Sequence, residues 1–335
     1  MTDPAVASII AAFYPAYQTP LVPAGPQARQ IEHTFLLIFW ITTAVYAIVI
    51  AVLAAGVFRA RTRNQTIPPP ISVDSGTEQK AHRIVGIALG ITVLLIAIML
   101  IDSFVTSHRT ATLVDRATVR IDVYGHQWWW EVIYPNDKEP SKIIHTANEI
   151  HLPAGTVVDI HASSKDVIHS FWAPNIHGKK DLLPGYENDL TLEVDHPGVW
   201  RGQCAEYCGM QHAQMAFDIV SQSRDEFDAW YRQQLNSAPE PTSPQTKHGQ
   251  TVFLNHACAL CHTIRGTIAG GTTAPDLTHL ASRSTIAAGI LKNNVANLTA
   301  WVVNAQSFKP GCRMPPNLMP SSDLNDLVAY LETLR

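Results

Sequence analysis

Val119-Arg120-Ile121-Asp122-Val123 alternates apolar and charged side chains with a period of two, the signature of a strand with one buried face. Leu190, Leu192 and Val194 repeat the pattern against Thr191 and Glu193, and Thr156 to His161 reads as another strand. Turns at Pro153-Ala-Gly155, Pro184-Gly185 and Pro197-Gly198 separate the runs. Residues 111–222 therefore predict a small antiparallel sandwich or barrel.

Upstream, Thr34 to Phe58 and Ile84 to Ile101 contain no charged residue, and each is near the ~20 residues that a helix needs to cross a bilayer. They predict a transmembrane hairpin over 34–106. Its loop, 59–83, carries Arg59, Arg61, Arg63, Lys80 and Arg83 against Asp74 and Glu78, whereas residues 1–33 carry only Arg29 as a basic side chain. The positive-inside bias puts that loop in the cytoplasm and both tails, including the N-terminal segment 1–33, outside. The start, MTDPAVASII, has no basic n-region, so the exported part is expected to be reached without a cleavable signal. Charged residues make up only 16%, yet 22 prolines and a net charge of −4 fit neither a polytopic transporter nor a disordered tail. No nucleic-acid partner is expected.

Downstream, a polar helix over Arg224 to Gln234 and the Pro-rich linker Ser237-Ala-Pro-Glu-Pro-Thr-Ser-Pro244 occupy 223–245. A second, helical domain spans 246–335. Ser321 or Ser322 is expected to cap its last helix, with Leu324, Leu327, Val328 and Leu331 on one face.

Four of the five cysteines fall in two pairs. The first lies in Cys204-Ala-Glu-Tyr-Cys208-Gly-Met-Gln-His212-Ala-Gln-Met215. Thiolate, imidazole and thioether together form a soft donor set that favours copper, and two cysteines suggest two copper ions sharing both sulfurs. His169, directly after a predicted strand, supplies a second imidazole. The competing readings are an exported disulfide and a tetrahedral zinc site, neither of which requires a methionine at the loop end.

That loop, Asp166-Val-Ile-His169-Ser-Phe-Trp172 and Gly125-His-Gln-Trp-Trp-Trp-Glu131 together resemble subunit II of cytochrome c oxidase over roughly residues 30–222. The resemblance implies a two-helix hairpin leading into an all-β cupredoxin-like Greek-key barrel that holds dinuclear copper A. It implies as copper ligands His169, Cys204, Cys208, His212, Met215 and the backbone carbonyl of Glu206. It further implies that the Glu206 side chain faces a magnesium ion at the boundary with subunit I, and that Trp128 receives electrons near the copper. Trp129 and Trp130 read as packing residues. The family usually has Tyr at Trp129 and Arg at Tyr186. Where many members have an acid marking a proton path, Glu78 is followed by Ala81-His82 and reads as a charged loop residue.

The second pair, Cys258-Ala-Leu-Cys261-His262, has the C-x-x-C-H form that attaches a c-type haem, the thiols bonding the vinyl groups and the imidazole ligating iron. Zinc at these three residues is the competing metal. Met314 in Lys309-Pro-Gly-Cys-Arg-Met314-Pro-Pro316 is the candidate opposite ligand, with Met319 the runner-up. Pro275-Asp-Leu-Thr-His279-Leu-Ala-Ser-Arg283 resembles the segment that lies against the haem in small cytochromes c, which gives His279 and Arg283 a propionate-contacting role, and Trp301 packs on the same edge. For His279 and Arg283 the alternative is a capped, solvated helix start. Cys312 reads as a small buried residue.

The whole resembles the caa-type subunit II, in which an all-α cytochrome c domain is fused at the C-terminus. The resemblance implies a subunit of a haem-copper terminal oxidase in a bacterial plasma membrane, both metal domains on the outer side. It would hold two coppers and one haem c and pass electrons from an upstream respiratory donor through haem c and copper A to haem in subunit I, with subunit III as a further partner. Oxygen reduction and proton translocation would belong to subunit I. The alternative is the copper A entry subunit of a nitric oxide reductase type complex.

Overall fold

The computed structural model describes residues 18–62, 75–111 and 117–335. Two units result, one of residues 29–112 and one of the remaining residues.

In the first unit, helices α1 (Pro26–Thr62) and α2 (Ser75–Ala111) are each 37 residues long, about 55 Å at 1.5 Å per residue. Most side chains from Phe35 to Phe58 and from Ile84 to Phe104 stay exposed. Such apolar surface, unpartnered by protein, fits a lipid environment. The helices are joined near one end by polar contacts, Thr34 Oγ1 donating to Asp102 Oδ2 (2.7 Å) and Gln30 to Thr106 (3.1 Å). Both run beyond the apolar stretches that predict them, because their polar flanks continue the helix. Glu78 thus sits in the first turn of α2, 3.8 Å from His82, and not in a loop; residues 63–74 of the expected loop lie outside the described residues.

The other unit begins with ten strands: β1 (Val119–His126), β2 (Trp129–Tyr134), β3 (Ile144–Ala147), β4 (Glu149–Pro153), β5 (Val158–Ser164), β6 (His169–Trp172), β7 (Lys180–Leu182), β8 (Asn188–Leu192), β9 (Gly198–Cys204) and β10 (Ala216–Gln222). They form two five-stranded sheets, ordered β3-β2-β1-β5-β8 and β4-β10-β9-β6-β7. The sheets are mixed and not purely antiparallel: β1 runs parallel to β5, and β4 to β10. Side-chain alternation fixes which face is buried but carries no information about the direction of a partner several strands away. The third expected strand starts later than predicted, at Val158.

The inner faces meet through Trp130, Phe171 and Phe217, all fully buried. Trp130 packs edge-on against both phenylalanines (6.1 and 5.1 Å), each such pair contributing about 0.5–1.5 kcal/mol beyond its buried area. Gly202 is required there, since a Cβ would come within 2.1 Å of the Phe217 ring. Helix α3 (Arg224–Gln234), closed by a Ser223–Glu226 capping box, covers this domain's edge with Phe227 and Trp230.

The second domain is built on α4 (Pro244–Asn255), α5 (Cys258–Cys261), α6 (Val295–Val303) and α7 (Ser321–Leu331), with a two-stranded ribbon β11 (Thr285–Ile286) and β12 (Leu291–Lys292). Gly249 lets α4 and α7 touch: a Cβ there would lie 1.9 Å from the carbonyl oxygen of Asp326. Leu327, Val328 and Leu331 of α7 are buried, as their spacing predicts. The expected Ser cap is not made. Pro320 is the N-cap, with no side-chain hydrogen bond, because the helix starts at Ser321 itself. The Pro-rich linker is pinned to this domain, Ala238 N donating to Arg265 O at 2.9 Å.

Candidate metal centres

Strands β9 and β10 are antiparallel neighbours, and the loop between them carries the first cysteine pair. Cys204 ends β9, and its amide donates to the carbonyl of Met215 (2.9 Å), closing the loop. Strand β6 pairs with β9 and begins at His169, which places that imidazole over the loop. Gly125 on β1 makes room for it, since a Cβ would sit 2.7 Å from the His169 ring.

The donors divide into two sets. Around Cys204 Sγ lie His169 Nδ1 (3.8 Å) and the Glu206 carbonyl oxygen (3.2 Å); around Cys208 Sγ lie His212 Nδ1 (3.7 Å) and Met215 Sδ (3.9 Å). The two sulfurs are free thiols 3.7 Å apart and buried. A single tetrahedral ion needs its donors around one point. Donors split about two adjacent sulfurs fit two soft ions that share both.

His169 presents Nδ1 to the loop because Nε2 is bound to Asp166 Oδ1 at 2.9 Å. Burial raises the Asp166 carboxyl, but hydrogen bonds from His169 and the amides of Gln127 and Val167 outweigh it and hold the group below its ordinary range. A hydrogen bond from the Cys208 thiol, with His169 adding to it, holds Cys204 well below the ordinary thiol range, and Cys208 is pushed up correspondingly. The Glu206 carboxylate is half-exposed, 3.9 Å from Lys179. It offers magnesium one ligand beside a cation, so this chain by itself does not fit that ion.

Trp128 sits at the β1–β2 turn, nearly buried, and its Nε1 donates to the Cys208 carbonyl (3.0 Å), as does Gln127 Nε2 (2.8 Å). Trp130 is core, whereas Trp129 stacks on His126 (4.3 Å between centroids).

On its other side Trp128, with Gln127, Trp129 and Asn148, borders a cavity of about 370 Å³ lined mainly by the second domain, reached by Cys258, Cys261, His262, Met314, Arg283 and Trp301. Met319 is partly buried against the domain's core cluster and does not line this cavity. His262 Nδ1 is tied to the Pro275 carbonyl at 2.7 Å, which leaves Nε2 for a metal. Arg283 is buried with Nε unpartnered and one terminal nitrogen bound to the Asp276 carbonyl. A buried guanidinium whose Nε has no hydrogen-bond partner, at the edge of an apolar cavity, suits an anion, and a haem propionate is one. Zinc at Cys258, Cys261 and His262 would leave the large apolar cavity unexplained. His279 lies outside the cavity lining, its Nε2 turned to the Asn236 carbonyl (3.1 Å) beside the linker. Cys312 is half-buried and holds Gln306 Nε2 at 3.2 Å.

Asp166, Gln127 and the Pro275 carbonyl are site groups to which the sequence motifs assign no role. An acid three residues before a candidate histidine ligand is a readable signal for the first; the other two depend on tertiary placement.

The chain matches the family described as cytochrome C oxidase subunit II, periplasmic domain, over residues 119–223, and the cytochrome c family over residues 246–335. It is 34% identical over 331 residues to cytochrome c oxidase subunit 2 of Alkalihalophilus pseudofirmus, covering 95% of this chain and 91% of that one. It is 32% identical to cytochrome c oxidase subunit 2 of Bacillus sp. strain PS3, covering 76% of this chain and 75% of that one. A solved structure, the periplasmic domain of subunit II of cytochrome oxidase of Bradyrhizobium japonicum, covers 35% of this chain and 93% of its own at 28% identity and a TM-score of 0.33. With near-complete coverage of a subunit 2 relative and a cytochrome c domain beyond the copper-loop domain, this chain belongs to the cytochrome c oxidase subunit 2 family.

Proposed function

We propose that this chain takes electrons into a haem-copper terminal oxidase through a c-type haem on its C-terminal domain, passes them to dinuclear copper A on its β domain, and delivers them to haem in subunit I. Bound haem and copper supply one-electron chemistry in which no bond of the protein forms or breaks. Cys258 and Cys261 tether the haem, His262 and Met314 ligate its iron, and Arg283 pairs with a propionate. His/Met ligation keeps the potential high, as a donor to an oxidase requires. His169, Cys204, Cys208, His212, Met215 and the Glu206 carbonyl hold the copper pair, with Asp166 fixing the His169 ring. Trp128 is the bridging residue: it borders the haem cavity and donates to the carbonyl of the copper ligand Cys208, and this observation carries the reading.

The two apolar helices anchor the subunit in a bacterial plasma membrane, with both metal domains outside. Oxygen reduction and proton translocation reside in subunit I, with subunit III as a further partner. Fusion of the donor domain gives the haem a high effective concentration at the copper loop. Stopped-flow absorbance on the purified oxidase tests the order: haem c reduces first and copper A second. Copper reduced before haem c by the physiological donor would overturn it.

A further inference from the structure

Lys309 is the most unusual cation in the second domain. It is 2% exposed, although lysine is almost never buried without partners. Its Nζ donates to three carbonyls: Trp128 (2.6 Å) and Gln214 (2.9 Å) of the β domain, and Ala287 (3.3 Å) of its own. Burial opposes the charge and pushes the amine down to about 7, while three acceptors favour the ammonium, which alone has three N–H groups.

Ala287 opens a strap with an independent peculiarity. Ala287, Ala288 and Gly289 lie in succession in the left-handed region, at φ of 57°, 59° and 77°. The two alanines are strained there, a conformation that persists only where surroundings impose it. The surroundings here are the β domain. Ala288 O accepts from the amide of Ala216 (3.0 Å), the residue after the copper ligand Met215, and Gly289 O accepts from Arg201 Nη1 (2.9 Å). Next to the strap, Ser284 gives both its amide and its hydroxyl to the buried Glu149 carboxylate (2.7 and 2.6 Å). Gln211, in the copper loop, donates to Pro310 O at 2.7 Å.

We propose that Lys309 and the strap Ala287–Gly289 form a latch that locks the haem-binding domain onto the copper loop in one orientation, and that Lys309 is a positioning residue for electron transfer between them. Lys309 holds the main chain of Trp128, while the Trp128 indole holds Cys208. The part concerning electron transfer rests on the electron path proposed above. A latched donor differs from a tethered one that swings on its linker: transfer is a single electron moving across a standing contact, independent of how fast the domain diffuses.

The test uses the purified whole oxidase with Lys309→Met and Lys309→Gln, haem attachment being checked by stain and copper by its absorbance. Hydrogen exchange reads the latch directly at the Ala216 amide. Its protection falls about tenfold or more in K309M, the expected effect of losing hydrogen bonds to a charged group, and K309Q, with two neutral donors, falls between. Haem-to-copper transfer after rapid reduction is unaffected by solvent viscosity in the parent, and about tenfold slower and viscosity-dependent in K309M. Should K309M fail to assemble, K309Q carries both readouts. Unchanged protection of Ala216 overturns the latch, and lost protection with an unchanged transfer rate overturns the positioning role. A parent that shows no haem-to-copper transfer, with Ala216 still responding to the variants, supports the latch and instead sinks the electron path.

Discussion

At the scale of single residues, His169 has its two ring nitrogens committed to different tasks. Nε2 is fixed by Asp166, so Nδ1 faces Cys204 without a search among ring orientations. Asp166→Ala removes the acceptor of His169, Gln127 N and Val167 N together. The copper affinity of the variant is expected to fall about 10- to 100-fold, with altered copper absorbance, while haem attachment stays intact. Titration with copper, read by absorbance, checks this; parental affinity would remove Asp166 from the site. The choice between methionines is equally local. Met314 borders the cavity that His262 borders, and Met319 does not. Met314→Ala should leave haem covalently attached but lower its reduction potential and change the iron spin state, whereas Met319→Ala should do neither. Redox titration and spectra of the two variants decide, and the reverse result would exchange their roles.

Between elements, parallel pairing of β4 with β10 sets Glu149 opposite Asp218, two carboxylates inside one sheet edge. Their environments drive them apart. Burial raises Glu149, but His151 and Ser284 outweigh it and hold the group below its ordinary range. Burial beside Glu149 pushes Asp218 up to about 6. Linkage sets the signs. Asp218 binds its proton more tightly when folded, so its contribution grows as pH falls from about 6 towards 4. Glu149 stabilises only while ionised, and its contribution is lost as pH falls below about 4. Denaturation of the soluble part as a function of pH is therefore expected to show a maximum on the acidic side of neutrality. Asp218→Asn should raise stability at pH 7 by roughly 1–3 kcal/mol and flatten the rise between pH 7 and 5. A variant with the parental profile would refute the assignment. Elements are unequally readable from the sequence. Alternation at Val119–Val123 locates β1, and apolar length locates α1 and α2, because both signals are local. Parallel pairing, the turning of His279 towards the linker and the burial of Lys309 depend on residues distant in the chain, which periodicity cannot report. The candidate metal ligands are legible because the donor chemistry is concentrated in short motifs; Asp166 and the carbonyls that would orient them are ordinary residues until the fold brings them near.

Across the whole molecule, the two metal-binding domains differ in how far their folds depend on the metal. The β domain has a continuous aromatic core of Trp130, Phe171 and Phe217 and folds around its loop. The C-terminal domain packs Phe253, Leu280, Leu298 and Leu327 into one core cluster, but the same side chains also line a cavity, so part of that core is closely packed only when haem fills the space. A domain this small has little surplus burial to spare. Replacing both Cys258 and Cys261 by Ser should therefore do more than remove the haem stain. Helical circular dichroism of this domain should fall and proteolysis should open the segment 237–243, while copper A absorbance persists on an intact β domain. Protection at the Ser284–Glu149 contact should vanish with it. Turnover with the upstream donor should drop by about 10²-fold or more, the advantage that a fused partner holds over one arriving from solution. Retained helicity and a protected linker in the C258S/C261S protein would show that the domain folds without haem, and would leave its electron-carrying role as the one reason for the cavity.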